Sequence, residues 1–159
     1  MVGCAELARH TQIIMSKREL ELVGAILYKC EGTKLRRDKR YPNANTFCYQ
    51  IDFTNSDPLL IKLWLEFLRK ILKVKEEKIR VSLHLYDNLN RDKVITFWSI
   101  LTKIPKTQFY NTKSYYADNP NYKPNPLGTC RIRYAVKKVY LKLNEIIKRK
   151  LGKEAALIK

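Results

Sequence analysis

Apolar and polar positions alternate along the chain with two different periods, and the switches between them divide it into elements. Leu20, Val23 and Leu27 keep a helical spacing. Ser16 stands before them as a cap, with Glu19 placed to complete a capping box, and Gly32 is a natural stop. The period then shortens. "TKLRR" (33–37) reads as a short strand, "DKRYPNAN" (38–45) as a turn, and "TFCYQIDFTN" (46–55) as a second strand. In that strand Phe47, Tyr49, Ile51 and Phe53 point one way, and Cys48, Gln50, Asp52 and Thr54 the other. One face is therefore for helices, and the other meets water or a polar partner.

A helical period returns after "NSDP", with Asp57 as cap and Pro58 in the first turn. Leu60, Trp64, Phe67, Leu68 and Ile71 form its expected buried stripe, and Lys62, Glu66, Arg69 and Lys73 its outer side. "KIRVSLHLY" (78–86) predicts a third strand. "RDKVITFWSILTK" (91–103) predicts a helix with Val94, Phe97, Trp98 and Leu101 inward, ended by Pro105. Residues 106–127, rich in Asn, Pro, Tyr and Lys, read as a long irregular segment of the kind that is usually functional or mobile. "GTCRIRYA" (128–135) is a further strand, and residues 136–151 a closing helix with Val139, Leu143, Ile146 and Ile147 on one side. Residues 1–15 are a lead-in, 16–152 the domain and 153–159 a tail; no segment repeats. The order of elements predicts an α+β fold, with one mostly antiparallel sheet and its helices stacked on one face.

Charge changes this picture. The chain has 159 residues, one domain's worth, and 32 Lys and Arg against 15 Asp and Glu leave it at +17. With a pI near 9.8, a polyanionic partner is expected, and nucleic acid is the commonest. No run is long and apolar enough for a membrane span, and the start lacks a signal-peptide layout, so a cytoplasmic protein without a membrane partner is expected. Cys4, Cys30, Cys48 and Cys130 are scattered, with no zinc spacing; reduced thiols in an intracellular protein are the simplest account. No phosphate-binding glycine loop, dinucleotide fingerprint or H-E-x-x-H occurs, and no small-molecule cofactor is expected.

Basic residues crowd one place. Lys34, Arg36, Arg37, Lys39 and Arg40 lie around the first hairpin with Tyr41 and Asn43 to Asn45. Such closely spaced cations repel one another without a partner, and a two-stranded ribbon fits the major groove of DNA. Gln50, Arg131 and Arg133 face the polar side of the sheet. Lys106, Tyr110, Lys113, Tyr115, Tyr116 and Lys123 mix cations with aromatic rings, either to follow a phosphate backbone or to pack over the sheet edge. His84 lies between Leu83 and Leu85 and reads as a structural or phosphate-contacting residue. Asn55 is either a polar site residue or a turn residue ahead of Asp57. Glu31, a lone acid at the end of the first helix, is either a solvated partner of Lys34 or a seat for a hard cation.

The stretch "GAILYKCEG" resembles the motif helix of the LAGLIDADG homing endonucleases, with Ala25, Leu27, Glu31 and Gly32 in register. "IDFTNSDPLLIKLWLEFL", "IRVSLHLY", "FWSILTKIPKTQF" and "CRIRY" resemble small prokaryotic proteins of that kind, over roughly residues 17–150. The resemblance implies an antiparallel sheet forming a DNA-binding saddle, and a homodimer in which Gly24, Ala25 and Tyr28 let two motif helices meet. It also implies site-specific cleavage of double-stranded DNA, with Glu31 from each subunit holding Mg²⁺ or another divalent cation. Asn55 would position water or metal, and Arg133 would serve as the basic group near the cleaved phosphate. Lys34, Arg36, Arg37, Lys39, Arg40, Gln50, Lys113 and Arg131 would contact DNA. Ile26 and Lys29 depart from the family's pattern, which keeps a second reading open: a non-cleaving DNA-binding protein, a regulator or splicing helper, on the same scaffold.

Overall fold

A computed structural model of the protein describes residues 12–38, 47–110, 112–115 and 125–157. Helix α1 (Lys17–Glu31) starts as its local chemistry dictates. The Glu19 amide donates to Ser16 Oγ at 3.3 Å, and the Ser16 amide donates to Glu19 Oε2 at 2.7 Å. Beyond it, Gly32 bridges Phe53, and the Thr33 amide donates to the Asp52 carbonyl at 3.0 Å. The chain then forms a small antiparallel ribbon from β1 (Arg36–Arg37) and β2 (Phe47–Cys48).

The expected long strand over 46–55 is divided. The Gln50 amide donates to the Cys48 carbonyl at 2.9 Å, which turns the chain between β2 and β3 (Ile51–Asn55). The ribbon is thereby separate from the main sheet, and β3 belongs to the latter alone. Helix α2 (Pro58–Phe67) follows, capped by Asp57, whose Oδ1 accepts from Leu59 at 2.7 Å and from Leu60 at 3.4 Å. Its last turn widens into a π-helical segment, Leu68–Leu72, closed by Lys73 in the left-handed region (φ 53°). Ile61 and Leu65 are buried, whereas Leu60 is only half-buried, so the core-facing stripe is rotated slightly from the predicted one.

Strand β4 (Arg80–Tyr86) leads to α3 (Arg91–Thr102), which buries Val94, Phe97, Trp98 and Leu101. The segment expected to be irregular carries a short strand, β5 (Lys113–Tyr115), which pairs in parallel with β4. Its approach is fixed by backbone and side-chain bonds to the sheet. The Tyr110 amide donates to the Val81 carbonyl at 2.8 Å, and Gln108 Nε2 donates to the carbonyls of Glu76 and Ile79 at 2.8 and 2.7 Å. Strand β6 (Thr129–Tyr134) and helix α4 (Lys137–Leu151) complete the fold. Gly128, at φ 60°, precedes β6 where a Cβ would lie 2.6 Å from the His84 carbonyl oxygen, so only glycine lets the strands meet there.

The main sheet has the order β3-β6-β4-β5, antiparallel except at β4 and β5. The fold is thus α+β. Ile51, Phe53, Val81, Leu83, Leu85, Cys130, Ile132 and Tyr134 form the buried face of the sheet. Trp64 of α2 is stacked between Phe53 and Tyr28, with ring centroids 4.9 and 5.4 Å away. Tyr140 of α4 packs on Tyr49. After α4 the chain returns to α1: Lys29 Nζ donates to the Ala155 carbonyl at 2.8 Å, and the Leu157 amide to Asn144 Oδ1 at 2.7 Å. Among the described residues no helix is long and apolar enough to cross a membrane, and Cys30, Cys48 and Cys130 are unbridged.

Candidate nucleic-acid interface

The period-2 alternation that buries one face of the sheet sends the intervening side chains to the other. Cross-strand register arranges these in rows. Asp52 of β3 stands opposite Arg133 of β6, which stands opposite Arg80 of β4; Thr54, Arg131 and Ser82 form the next row, and Thr129, His84 and Lys113 the third. Each row contains at least one cation. Beside the first two rows lies a cavity of about 520 Å³, between the sheet and the β1–β2 ribbon. Lys34, Arg36, Arg37, Arg131 and Arg133 line it with two carboxylates, Asp38 and Asp52, together with Gln50 and Cys48. Five cations against two acids leave the cavity wall positive.

Asp52 organises the centre. It is only 2 % exposed, and its carboxylate receives Arg133 Nε at 2.8 Å and Arg133 Nη2 at 3.1 Å. Gln50 Nε2 donates to the same Oδ2 at 2.6 Å. These bonds hold the Arg133 guanidinium above its ordinary pKa, and Tyr110, whose ring centroid lies 5.8 Å away, supports it further. Arg131 Nε donates to Thr54 Oγ1 at 3.2 Å. Burial, and then the charges of Arg131 and Lys113, push the His84 pKa below its usual value, so the imidazole is neutral at physiological pH.

The structure brings together Lys34, Arg36, Arg37, Gln50, Arg131 and Arg133 around one cavity and sets Lys113 at the sheet's far edge. Lys39, Arg40, Tyr41, Asn43 to Asn45, Tyr116, Lys123 and residues 1–11 of the 1–15 lead-in lie outside the described residues. Asn55 is placed elsewhere: its Oδ1 accepts from the Asp57 amide at 2.8 Å, the turn role that was one of its two readings. Gly24, Ala25 and Tyr28 do not form an outer face. Ala25 and Tyr28 are 0 % and 1 % exposed, and Gly24 is packed against Phe67 of the same chain, because α1 turns this side toward α2 and β3. The outward side of α1 instead carries Leu22 and Ile26, 41 % and 43 % exposed.

Glu31 is exposed at the last turn of α1, has no partner among the described residues, and does not line the cavity. As a metal seat it offers one hard oxygen donor. Asp52 adds none, since its oxygens are committed to Arg133 and Gln50. No group of three or more His, Cys, Asp or Glu converges among the described residues. Magnesium fits such a donor set only if a second copy, phosphate oxygens and water complete the shell.

Sequence reasoning missed Asp52 and Arg80. The alternation put Asp52 on the polar face, but its pairing with Arg133 depends on strand register, which one strand's sequence does not fix. Comparisons with protein-family models, curated proteins and solved structures find no match to this chain. The fold and site define it as an α+β protein with a basic, arginine-lined sheet face.

Proposed function

We propose that this protein binds double-stranded DNA on the outer face of its sheet. The observation that carries the reading is the alignment of Arg80, Arg131 and Lys113 in consecutive cross-strand rows, continuous with the ribbon cations Lys34, Arg36 and Arg37. A face this positive attracts a polyanion, and the chain carries +17 overall. The ribbon suits a groove, and exposed arginines near its base suit phosphates. A homodimer joined through Leu22 and Ile26 of α1 would carry two such faces; an apolar pair one turn apart on a helix is a surface that a second copy can cover.

The second reading is metal-dependent cleavage of the bound duplex, a site-specific endonuclease of the LAGLIDADG kind. It is favoured by the unengaged carboxylate of Glu31. Glu31 would hold Mg²⁺, which when bound supplies activation of water and stabilisation of the leaving oxygen. Arg133, fixed by Asp52, would stay on the sheet as a positioned cation, while Asn55 would serve the turn into α2.

Both readings are tested together by incubating the protein and Glu31→Gln with a randomised duplex library, in Mg²⁺ and in EDTA. Retention of intact duplexes by both proteins supports binding without cleavage. Defined cuts that need Mg²⁺ and vanish in the variant support the nuclease. No retention by either protein overturns both.

A further inference from the structure

Asp52 presents a puzzle within a surface that is otherwise suited to anions. A carboxylate in the floor of a DNA-binding face repels phosphate, yet this one is almost fully buried and receives three hydrogen bonds. What it does to its two partners resolves the conflict. Bonding to Asp52 through Nε and Nη2 occupies one edge of the Arg133 guanidinium and leaves three of its five N–H groups, beside which the Tyr110 side chain stands as a further partner. The side chain remains 29 % exposed and lines the cavity. A carboxylate can only accept, so the Gln50 atom facing it is the amide nitrogen, and Gln50 Oε1 is turned away. Among the described residues nothing donates to that oxygen. Because Arg133 and Gln50 share Oδ2, the guanidinium and the amide stand side by side.

We propose that Asp52, Arg133 and Gln50 form a preset reader of one G·C base pair in the major groove. This rests on the duplex-binding reading above. Guanine presents two acceptors there, N7 and O6, and its cytosine presents the N4 amino donor. The Arg133 fork donates to guanine and Gln50 Oε1 accepts from cytosine. An A·T pair would set the adenine N6 donor against the guanidinium fork, so it is rejected. Charge points the same way. Arg133 is neutralised by Asp52, which makes it a weak phosphate anchor beside the exposed Lys34, Arg36 and Arg37. Asp52 touches no DNA; it is a positioning residue that fixes the fork and the amide orientation before binding.

The test is selection of bound duplexes from a randomised library by the full-length protein, Arg133→Lys and Gln50→Ala, with the salt dependence of affinity measured on the selected duplex, for Arg133→Gln as well. Arg133→Lys keeps the charge and loses the fork. It is expected to lower the preference for G·C at one position by about 5- to 100-fold, with the salt slope unchanged. If that variant does not fold, Gln50→Ala carries the test, with a smaller loss expected at the same base pair. Unchanged base preferences in the folded variant overturn the reader. So does a fall in salt slope of about one in Arg133→Gln, which removes the charge and would make Arg133 a phosphate contact. If the parent protein retains no duplex, the binding proposal falls and the reader with it; retention without any G·C preference overturns the reader alone.

Discussion

Gly24 sits in the middle of α1, where glycine is the poorest ordinary helix former. Replacing it with alanine should raise helix stability by about 1 kcal/mol on propensity alone. Its surroundings predict the opposite sign. A Cβ built at Gly24 lies 2.1 Å from Phe67 Cδ2 and 2.3 Å from Cγ, whereas relaxed carbon contacts are about 3.5–4.0 Å. The Phe67 ring would have to move by more than an ångström, and it is fully buried against Trp64, with centroids 5.3 Å apart. Overpacking of this kind costs about 1–3 kcal/mol and more where the neighbour cannot yield. With the ring hemmed in, the upper part of that range applies, and the net is a destabilisation of about 1–2 kcal/mol. For a domain of this size that lowers Tm by roughly 2–8 °C. Thermal melts followed by circular dichroism, at two protein concentrations tenfold apart, measure the difference between variant and parent. It should be the same at both concentrations. A higher Tm in Gly24→Ala would refute the packing argument. A difference that changes with concentration would instead return Gly24 to an interface between two copies.

Two further outcomes follow from side chains outside the cavity. Lys142 Nζ donates to the Ile71 carbonyl at 2.7 Å and to the Leu72 carbonyl at 3.4 Å, capping the π-helical turn that ends α2. Lys142→Met should therefore cost about 1–2 kcal/mol in urea unfolding, while duplex binding is unchanged; an unaltered midpoint would show that the cap contributes nothing. His84 has a folded-state pKa below its ordinary value, so the unfolded chain binds the proton more readily. Its contribution to stability is complete above pH 6.5 and is lost as the pH falls through the folded value. Tm of the parent should decline more steeply below pH 6.5 than Tm of His84→Gln, and parallel curves would contradict this.

What was legible in the sequence was local. Ser16 with Glu19 and Asp57 with Pro58 mark helix starts because the capping groups lie within three residues of the amides they bind. The buried face of the sheet was legible as well, since alternation needs no partner to be seen. What depended on distant contacts was not. Strand β5 exists because its segment is held beside β4 by Gln108 and Tyr110, whose partners lie about 30 residues earlier. The break at Gln50 comes from a single backbone bond within an otherwise regular alternation. For α1 the periodicity showed that Gly24 and Ala25 lie together, but not that α2 and β3 of the same chain cover them. Asp52 was visible only as a polar residue, because its meaning comes from the strand that register places beside it.

The central claim is that the basic sheet face and ribbon neutralise DNA phosphates. Its most direct test is the affinity for a labelled duplex as a function of salt, measured by fluorescence anisotropy for the parent and for Arg36→Ala/Arg37→Ala. Each phosphate contact contributes about −0.9 to the slope of log K against log salt. The double variant should remain folded, since both arginines are exposed, and should lose about 2 from the slope for each bound chain. Equal slopes for the two proteins, or no salt-dependent binding by the parent, would contradict the account.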